Sequence, residues 1–411
     1  MRSLASRFLL LVALLLADAG GPALQAQPIA LLDAVANAPT LAAARRRIEA
    51  AHARCESAGR LADPELEGMA SRASMPDDSF NMWELTLRQP LPKRGERAAD
   101  RERARATVAM IEADYALMAG EMAAEVAMSL AESAGAAGRI RALETQLARM
   151  GAVAQSVDAR IAAGASGRIA DRLAVQTRIA LLQLALERDR RIAADAEAEA
   201  RGRLGLAESA PLPAFAAPAT TEIRADDTAA LHLARARAAE ADAMTMTARA
   251  SARPMTSIGV RLEREQTAMG NGDTIGLAFM SELPFRSRRY ARAEIRAAQA
   301  ERTAALAEGK AAGFRLASAL TRIERAERLA DLARRLGVET HTRLEAELDA
   351  LIRGAGAGGG ESSVFQAVEV LEKATETELQ IIEAETAART ARAELWRHVP
   401  AQRLLHSASR P

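Results

Sequence analysis

Aromatic residues are scarce in this chain: Phe, Tyr and Trp supply 3% of 411 residues, although hydrophobic residues reach 49%. Much of that apolar share is alanine. A compact core needs large aromatic and branched side chains to bury enough area, so this composition points instead to long helices packed closely through small residues. Cysteine is nearly missing too. Cys55 stands alone, which excludes an intrachain disulfide and a cysteine metal cluster. It also lies too far from the N-terminus to carry a lipid there. Charge of one sign is not in excess: 55 Lys+Arg against 54 Asp+Glu leave a net +1. A nucleic-acid binder gathers a basic surplus on one face, and no such block occurs. Finally, no apolar run approaches the ~20 residues that a membrane-spanning helix requires.

The one apolar run, Phe8 to Leu16, follows Arg2 and Arg7 and precedes small residues. Basic, then apolar, then small is the layout of a secretory signal. Cleavage sites fit after Ala19 and after Ala26, with the second favoured, so residues 1–26 are expected to be removed on export.

What the chain has in abundance is itself, written twice. Trp83-Glu84-Leu85-Thr86-Leu87-Arg88-Gln89-Pro90-Leu91-Pro92 aligns with Ile275-Gly276-Leu277-Ala278-Phe279-Met280-Ser281-Glu282-Leu283-Pro284. Upstream, Asp63-Pro64-Glu65-Leu66 aligns with Arg253-Pro254-Met255-Thr256. The offset is roughly 190 residues, far beyond the period of a solenoid. The expected order is a first repeat over 27–210, a proline-rich linker over 211–227, a second repeat over 228–400 and a tail over 401–411. Each repeat reads as a helix (about 29–61 and 228–252), a strand pair (about 64–90 and 254–284), a very long helix, a sharp break and a further long helix.

The helix expected from Arg94 to Ala163 contains no proline. Ile140, Leu143, Leu147, Met150, Ala154, Val157 and Ile161 recur at three- and four-residue steps, a heptad seam. Val175, Ile179, Leu182 and Leu186 continue it after the break; Leu329, Leu332, Leu336, Leu344, Leu348 and Leu351 repeat it less cleanly in the second half. About 70 helical residues span ~105 Å, so such helices must lie along one another. The breaks fall at Gly164-Ala165-Ser166-Gly167 and at the glycine-rich run 354–360, where helices can reverse.

The strand segments alternate with period two. Trp83, Leu85 and Leu87, then Ile258, Val260 and Leu262, then Ile275, Leu277 and Phe279, are separated by polar or small residues. The segment from Glu65 is weaker, and Met75-Pro76-Asp77-Asp78 and Gly270-Asn271-Gly272-Asp273 read as hairpin loops. One reading is a soluble sheet covering a core. The other, favoured by export and by the long flanking helices, is part of a membrane barrel with those nine apolar residues facing lipid. Four strands cannot close a barrel, so several copies would have to share one.

At these motifs the chain resembles the TolC-type outer-membrane factors, and most of all the CzcC-like branch of heavy-metal exporters. The carriers are Asn37-Ala38-Pro39-Thr40-Leu41, Asp63-Pro64-Glu65-Leu66, the hairpin exit Pro90-Leu91-Pro92-Lys93-Arg94-Gly95, and Arg160 with Gly164 and Ser166 at the first reversal. The resemblance implies a mainly α protein with a small β part. It implies a homotrimer with a shared twelve-stranded barrel in outer-membrane lipid, continuous with a periplasmic antiparallel coiled-coil tube. It further implies docking to a periplasmic adaptor and, through it, an inner-membrane pump. The sequence departs from the family in lacking the lipid-bearing cysteine, in a thin aromatic belt (Phe80, Trp83, Phe279, Phe285, Tyr290) and in a looser second reversal.

No catalytic constellation is present, so neither enzymatic activity nor a cofactor is expected. The five histidines are scattered, and Met82, Met269 and Met280 read better as packing residues than as soft-metal ligands. Near the tips, Glu347, Asp349 and Glu361 are candidates for a gate, since a carboxylate repeated around a symmetry axis favours cations. Arg160, Gly164, Ser166 and Leu173 are candidates for adaptor contact. The expected function is a passive outer-membrane exit duct for metal cations or other small toxic solutes. The rivals are a periplasmic adaptor and an exported coiled-coil scaffold without a pore.

Overall fold

The computed structural model describes residues 27–74, 79–162, 169–267, 270–282, 284–356 and 362–408. The expected signal segment 1–26, the first hairpin turn and the cores of both helical reversals lie outside that set. In chain order the elements are α1 (Gln27–Ala36), α2 (Pro39–Ser57), β1 (Glu65–Ser74), β2 (Ser79–Leu91), α3 (Glu96–Ala162), α4 (Ile169–Leu204), α5 (Ala229–Ser251), β3 (Thr256–Thr267), β4 (Gly270–Ser281), α6 (Ser287–Gly356), α7 (Ser362–Ala393) and α8 (Ala401–Ala408). The strands form one antiparallel sheet in the order β1-β2-β3-β4. The fold is therefore mainly helical with a small sheet, built as the duplicated helix–hairpin–long helix–helix unit.

The helix expected over 29–61 is two helices. Asn37 and Ala38 interrupt it, and Pro39 opens α2 at the one position where a missing N–H costs nothing. The second hairpin is tighter than its glycines suggest. Gly270 to Asp273 belong to β4, and the Arg264 guanidinium grips Asp273 directly opposite it with bonds of 2.7 and 3.0 Å. Gly270, the first residue of β4, adopts φ +145°, which a side chain rarely tolerates.

The residues fall into two compact units, and each draws on both repeats. One comprises Ala43–Tyr115 and Ala230–Ala312 and contains the sheet. In it, Gly309 lies against Leu231 and Ala234, where an added Cβ would come within 3.2 and 3.4 Å. Ala291, Ala298, Ala305 and Ala312 continue that buried line at heptad spacing. Ion pairs Arg302–Asp242 (3.1 Å) and Arg237–Glu308 (2.7 Å) tie α6 to α5; being exposed, each is worth about 0–1 kcal/mol. Gly59 ends the α2 region at φ +67°, with its carbonyl accepting from Arg97 Nε at 2.7 Å.

The other unit comprises Met1–Ala42, Ala116–Ala229 and Gly313–Pro411. Its core contains the expected seam: Leu143, Met150, Val175, Leu182, Leu186 and Leu371 are buried together, with Ile140, Leu147, Ala154 and Ile179 packed around them. Each fully buried side chain of this kind contributes about 1.5–3 kcal/mol. The second seam holds in its latter part only, where Leu348 packs against that core and Leu344 and Leu351 are half-buried. Leu329, Leu332 and Leu336 are exposed, whereas Leu316, Ala319, Ile323, Ala330 and Gly337 are buried. The reason is close approach. A Cβ on Gly337 would stand 2.3 Å from Ile381, and one on Gly135 would stand 2.3 Å from Thr386. Helix α7 therefore lies close to α6 at Gly337 and to α3 at Gly135, and Leu329, Leu332 and Leu336 face outward.

The linker and the C-terminus of the same unit are locked together. Trp396 is fully buried and donates its indole N–H to the carbonyl of Ala216 at 2.9 Å. Thr228 bridges Pro400, Arg403 pairs with Glu222, and α8 packs on α1 with Leu404 buried. Residues 401–408, expected as a tail, thus form a packed helix. Beside them His398 is held below its ordinary pKa by burial and by the Arg397 and Arg322 charges. Because the folded value is depressed, the unfolded chain takes up the proton first as pH falls. Stability contributed by neutral His398 is then present above the unfolded value of about 6.5 and lost below it. Thermal midpoints measured from pH 7.5 to pH 5 should fall, and His398→Gln should flatten that slope; an unchanged slope would remove His398 as its cause.

Candidate functional site: a two-faced sheet with open edges

Alternation along each strand sends its side chains to opposite faces. The pairing places residues side by side in rows across one face. Gln89, Ile258 and Phe279 form one row; Leu66, Leu87, Val260 and Leu277 the next; Gly68, Leu85, Leu262 and Ile275 a third. Toward the hairpin ends follow Ala70, Trp83, Arg264 and Asp273, then Arg72, Asn81, Gln266 and Asn271. All nine residues expected on the apolar face lie there together: Trp83, Leu85, Leu87, Ile258, Val260, Leu262, Ile275, Leu277 and Phe279. Every one is exposed, Leu277 at 88% and Phe279 at 71%. Trp83 marks the row where apolar side chains give way to ion pairs, and exposed Phe285 and Tyr290 follow the opposite end of β4. Aromatic residues on both borders of an apolar band are the pattern of a membrane interface.

The other face is polar and net acidic. Its charged residues among the described strands are Glu65, Glu67, Glu84, Glu263 and Glu265 against Arg88 and Arg261. Arg261 pairs with Glu84 at 2.9 Å and Glu263 at 3.1 Å, and Arg88 pairs with Glu67. Thr86 and Ser257 are buried on this side, and a Cβ on Gly259 would stand 2.5 Å from the Leu87 carbonyl, so β2 and β3 lie in tight register. Met82 and Met280 are on this face as well, while Met269 lies outside the described residues. That every charge except Arg72, Arg264 and Asp273 falls on one face was readable from period two; the ion-pair partners were not, because they depend on register.

Most of the tip candidates fall, whole or by side chain, outside the described residues. Gly164, Ser166 and Glu361 lie outside the described residues. Asp349 is a residue of α6 whose side chain also lies outside them. Glu347 and Leu173 are exposed, and Arg160 is half-buried. Asp158, one of the charged residues that the sequence places near the first reversal, pairs with Arg172 at 3.0 Å. Next to it Asp171, in the first turn of α4, is buried with Oδ1 unpartnered among the described residues. In the same unit an open groove of about 710 Å³ is lined by Glu132, Arg139, Asp189, Arg322 and Glu394, among others. Arg139 bridges Asp189 at 2.8 Å and Glu132 at 3.1 Å there. Among the described residues no group of three or more His, Cys, Asp or Glu could hold a metal, and no helix is long and apolar enough to cross a membrane.

Residues 30–206 match the family model described as Outer membrane efflux protein, so the first repeat carries that family's sequence pattern. No curated protein matches the sequence. Solved structures extend the likeness over the whole chain. A membrane protein from Pseudomonas aeruginosa is similar with TM-score 0.70 at 18% identity, over 90% of this chain and 89% of that one. The outer membrane protein VceC from Vibrio cholerae gives 0.70 at 16% identity, over 91% and 96%. The CmeC outer membrane channel of Campylobacter jejuni gives 0.69 at 11% identity, over 92% and 88%. The fold is that of outer-membrane channels such as CmeC.

Proposed function

We propose that this chain, whose first repeat bears the outer membrane efflux pattern and whose fold is that of outer-membrane channels, is one protomer of a homotrimeric exit duct. Three copies contribute four strands each to a barrel in outer-membrane lipid, with the helices extending into the periplasm after export through residues 1–26. The single observation that carries this is the sheet: an exposed apolar face, an acidic polar face and two edge strands with no further strand beside them among the described residues. A soluble sheet would cover its apolar face, and lipid is the medium in which leaving it bare is stable. Exposed stripes on α4 (Leu173, Leu181, Leu184) and α6 (Leu329, Leu332, Leu336) support further contact between copies.

The duct performs no chemistry and works with a periplasmic adaptor and an inner-membrane pump. Arg160, Gly164, Ser166 and Leu173 at the first reversal are the proposed adaptor contact, and Glu347, Asp349 and Glu361 the proposed gate. Among metal cations and other small toxic solutes, five carboxylates against two guanidinium groups on the polar face favour cations, as expected of the CzcC-like branch. The test is recording of the purified protein in planar bilayers under a salt gradient. Stepwise conductance with a reversal potential displaced toward cations is expected. A monomeric, water-soluble protein without conductance would end this reading.

A further inference from the structure

The two edges of the sheet are the place where a second copy must join, and the chain contains a template for that junction. Where β2 meets β3, the second strand of the first repeat pairs with the first strand of the second repeat. Where β4 of one copy meets β1 of the next, the second strand of the second repeat pairs with the first strand of the first repeat. The two junctions are thus the same junction, written by a duplicated sequence, and strand direction is antiparallel at both. A closed barrel also distributes its stagger over all junctions, which favours like offsets at like positions.

We infer that β4 pairs with β1 of the neighbouring copy in the register that β2 and β3 display, so that Phe279 stands opposite Ala70. The transfer uses the two alignments given above: Trp83 onto Ile275, and Pro64 onto Pro254. Leu87, which faces Val260, maps onto Phe279, and Val260 maps back onto Ala70. In the same way Gln89 facing Ile258 becomes Ser281 facing Gly68, and Leu85 facing Leu262 becomes Leu277 facing Arg72. All these residues already share the apolar face within their own strands. A one-residue slip would turn Phe279 to the acidic face, so only two-residue steps compete with this register.

The side chains suit the pairing. Phe279 and Leu277 are bare on β4, and β1 offers the small residues Gly68 and Ala70. A large ring opposite Ala70 has room to lie along the strand, and its edge reaches the diagonal Gly68. Arg72 lies toward the hairpin end, where its stem can run along Leu277 while its head reaches water.

This register rests on the trimeric-barrel reading, and disulfide trapping separates the two. In a Cys55→Ser background, Ala70→Cys with Phe279→Cys is oxidised in isolated outer membranes and read on non-reducing gels. Directly opposed residues have Cα atoms about 4.5–5.5 Å apart, within disulfide reach, whereas partners two residues away sit beyond it. Linked dimers and trimers, lost on reduction, are expected for this pair and absent for Gly68→Cys or Arg72→Cys combined with Phe279→Cys. Linkage through either shifted pair would overturn the register and leave the barrel standing. With no linkage from any pair, a trimer by light scattering in detergent overturns the register alone; a water-soluble monomer overturns register and barrel together.

Discussion

Arginine at Leu277 is expected to deplete the protein from the outer-membrane fraction, while arginine at neighbouring Gly276 is not. Leu277 is the most exposed of the nine apolar-face residues, in a row with Leu66, Leu87 and Val260. If that face met water, a charge there would be close to neutral, within about 0.5 kcal/mol. If it meets lipid near mid-depth, arginine costs about 2–4 kcal/mol per copy, and every copy in the barrel carries it. Gly276 points to the acidic face, where nothing lies within 4 Å of an added Cβ. A guanidinium there stands opposite Arg261 with Glu263 on the diagonal, and it loses no lipid contact. Fractionation followed by heating of the detergent-extracted oligomer reads both variants. Equal behaviour of the two would mean that the faces do not differ in their surroundings, and the barrel would lose its main support.

Trp396→Ala is expected to destabilise the helical unit by about 3–5 kcal/mol, the usual cost of truncating a buried aromatic residue. At about 2–4 °C per kcal/mol, the thermal midpoint would fall on the order of 10 °C. Two effects combine. A cavity opens beside Gly120, where even one added Cβ would stand 2.7 Å from the Trp396 carbonyl, and the Ala216 carbonyl loses its indole donor. Trp396→Phe keeps most of the volume and loses only the hydrogen bond, so its cost should be nearer about 1 kcal/mol. Circular dichroism melts in detergent separate the two. A midpoint shift below about 2 °C for the alanine variant would mean that linker and C-terminus are not locked through this residue.

The two variants mark how far linear reasoning reaches. Leu277 was found by alternation alone, since period two is local and survives any arrangement of the rest. Trp396 was invisible in that sense. Its partner Ala216 sits in a linker whose prolines announce only a break, and nothing local says that the C-terminus folds back onto it. The leucines of α6 fall between these cases. Their spacing identified a helical stripe correctly, yet spacing cannot tell which of two stripes on one helix meets a neighbour. At Gly337 the approach of Ile381 decides it, since even an added Cβ would stand 2.3 Å away. The Asn37–Pro39 break is legible only in Pro39, because a proline at a first helical turn is compatible with one helix as well as with two.

From the amino-acid order alone come the duplication, the lengths of the long helices, the positions of the strand pairs and the two chemical faces of the sheet. Each of these depends on contacts between residues near in sequence or on a backbone period. Tertiary structure decided the strand register, the ion pairs across the acidic face, the small-residue seam and the clamp at Trp396. Those depend on how closely distant segments approach, and that distance is set by the volumes of side chains on both partners at once.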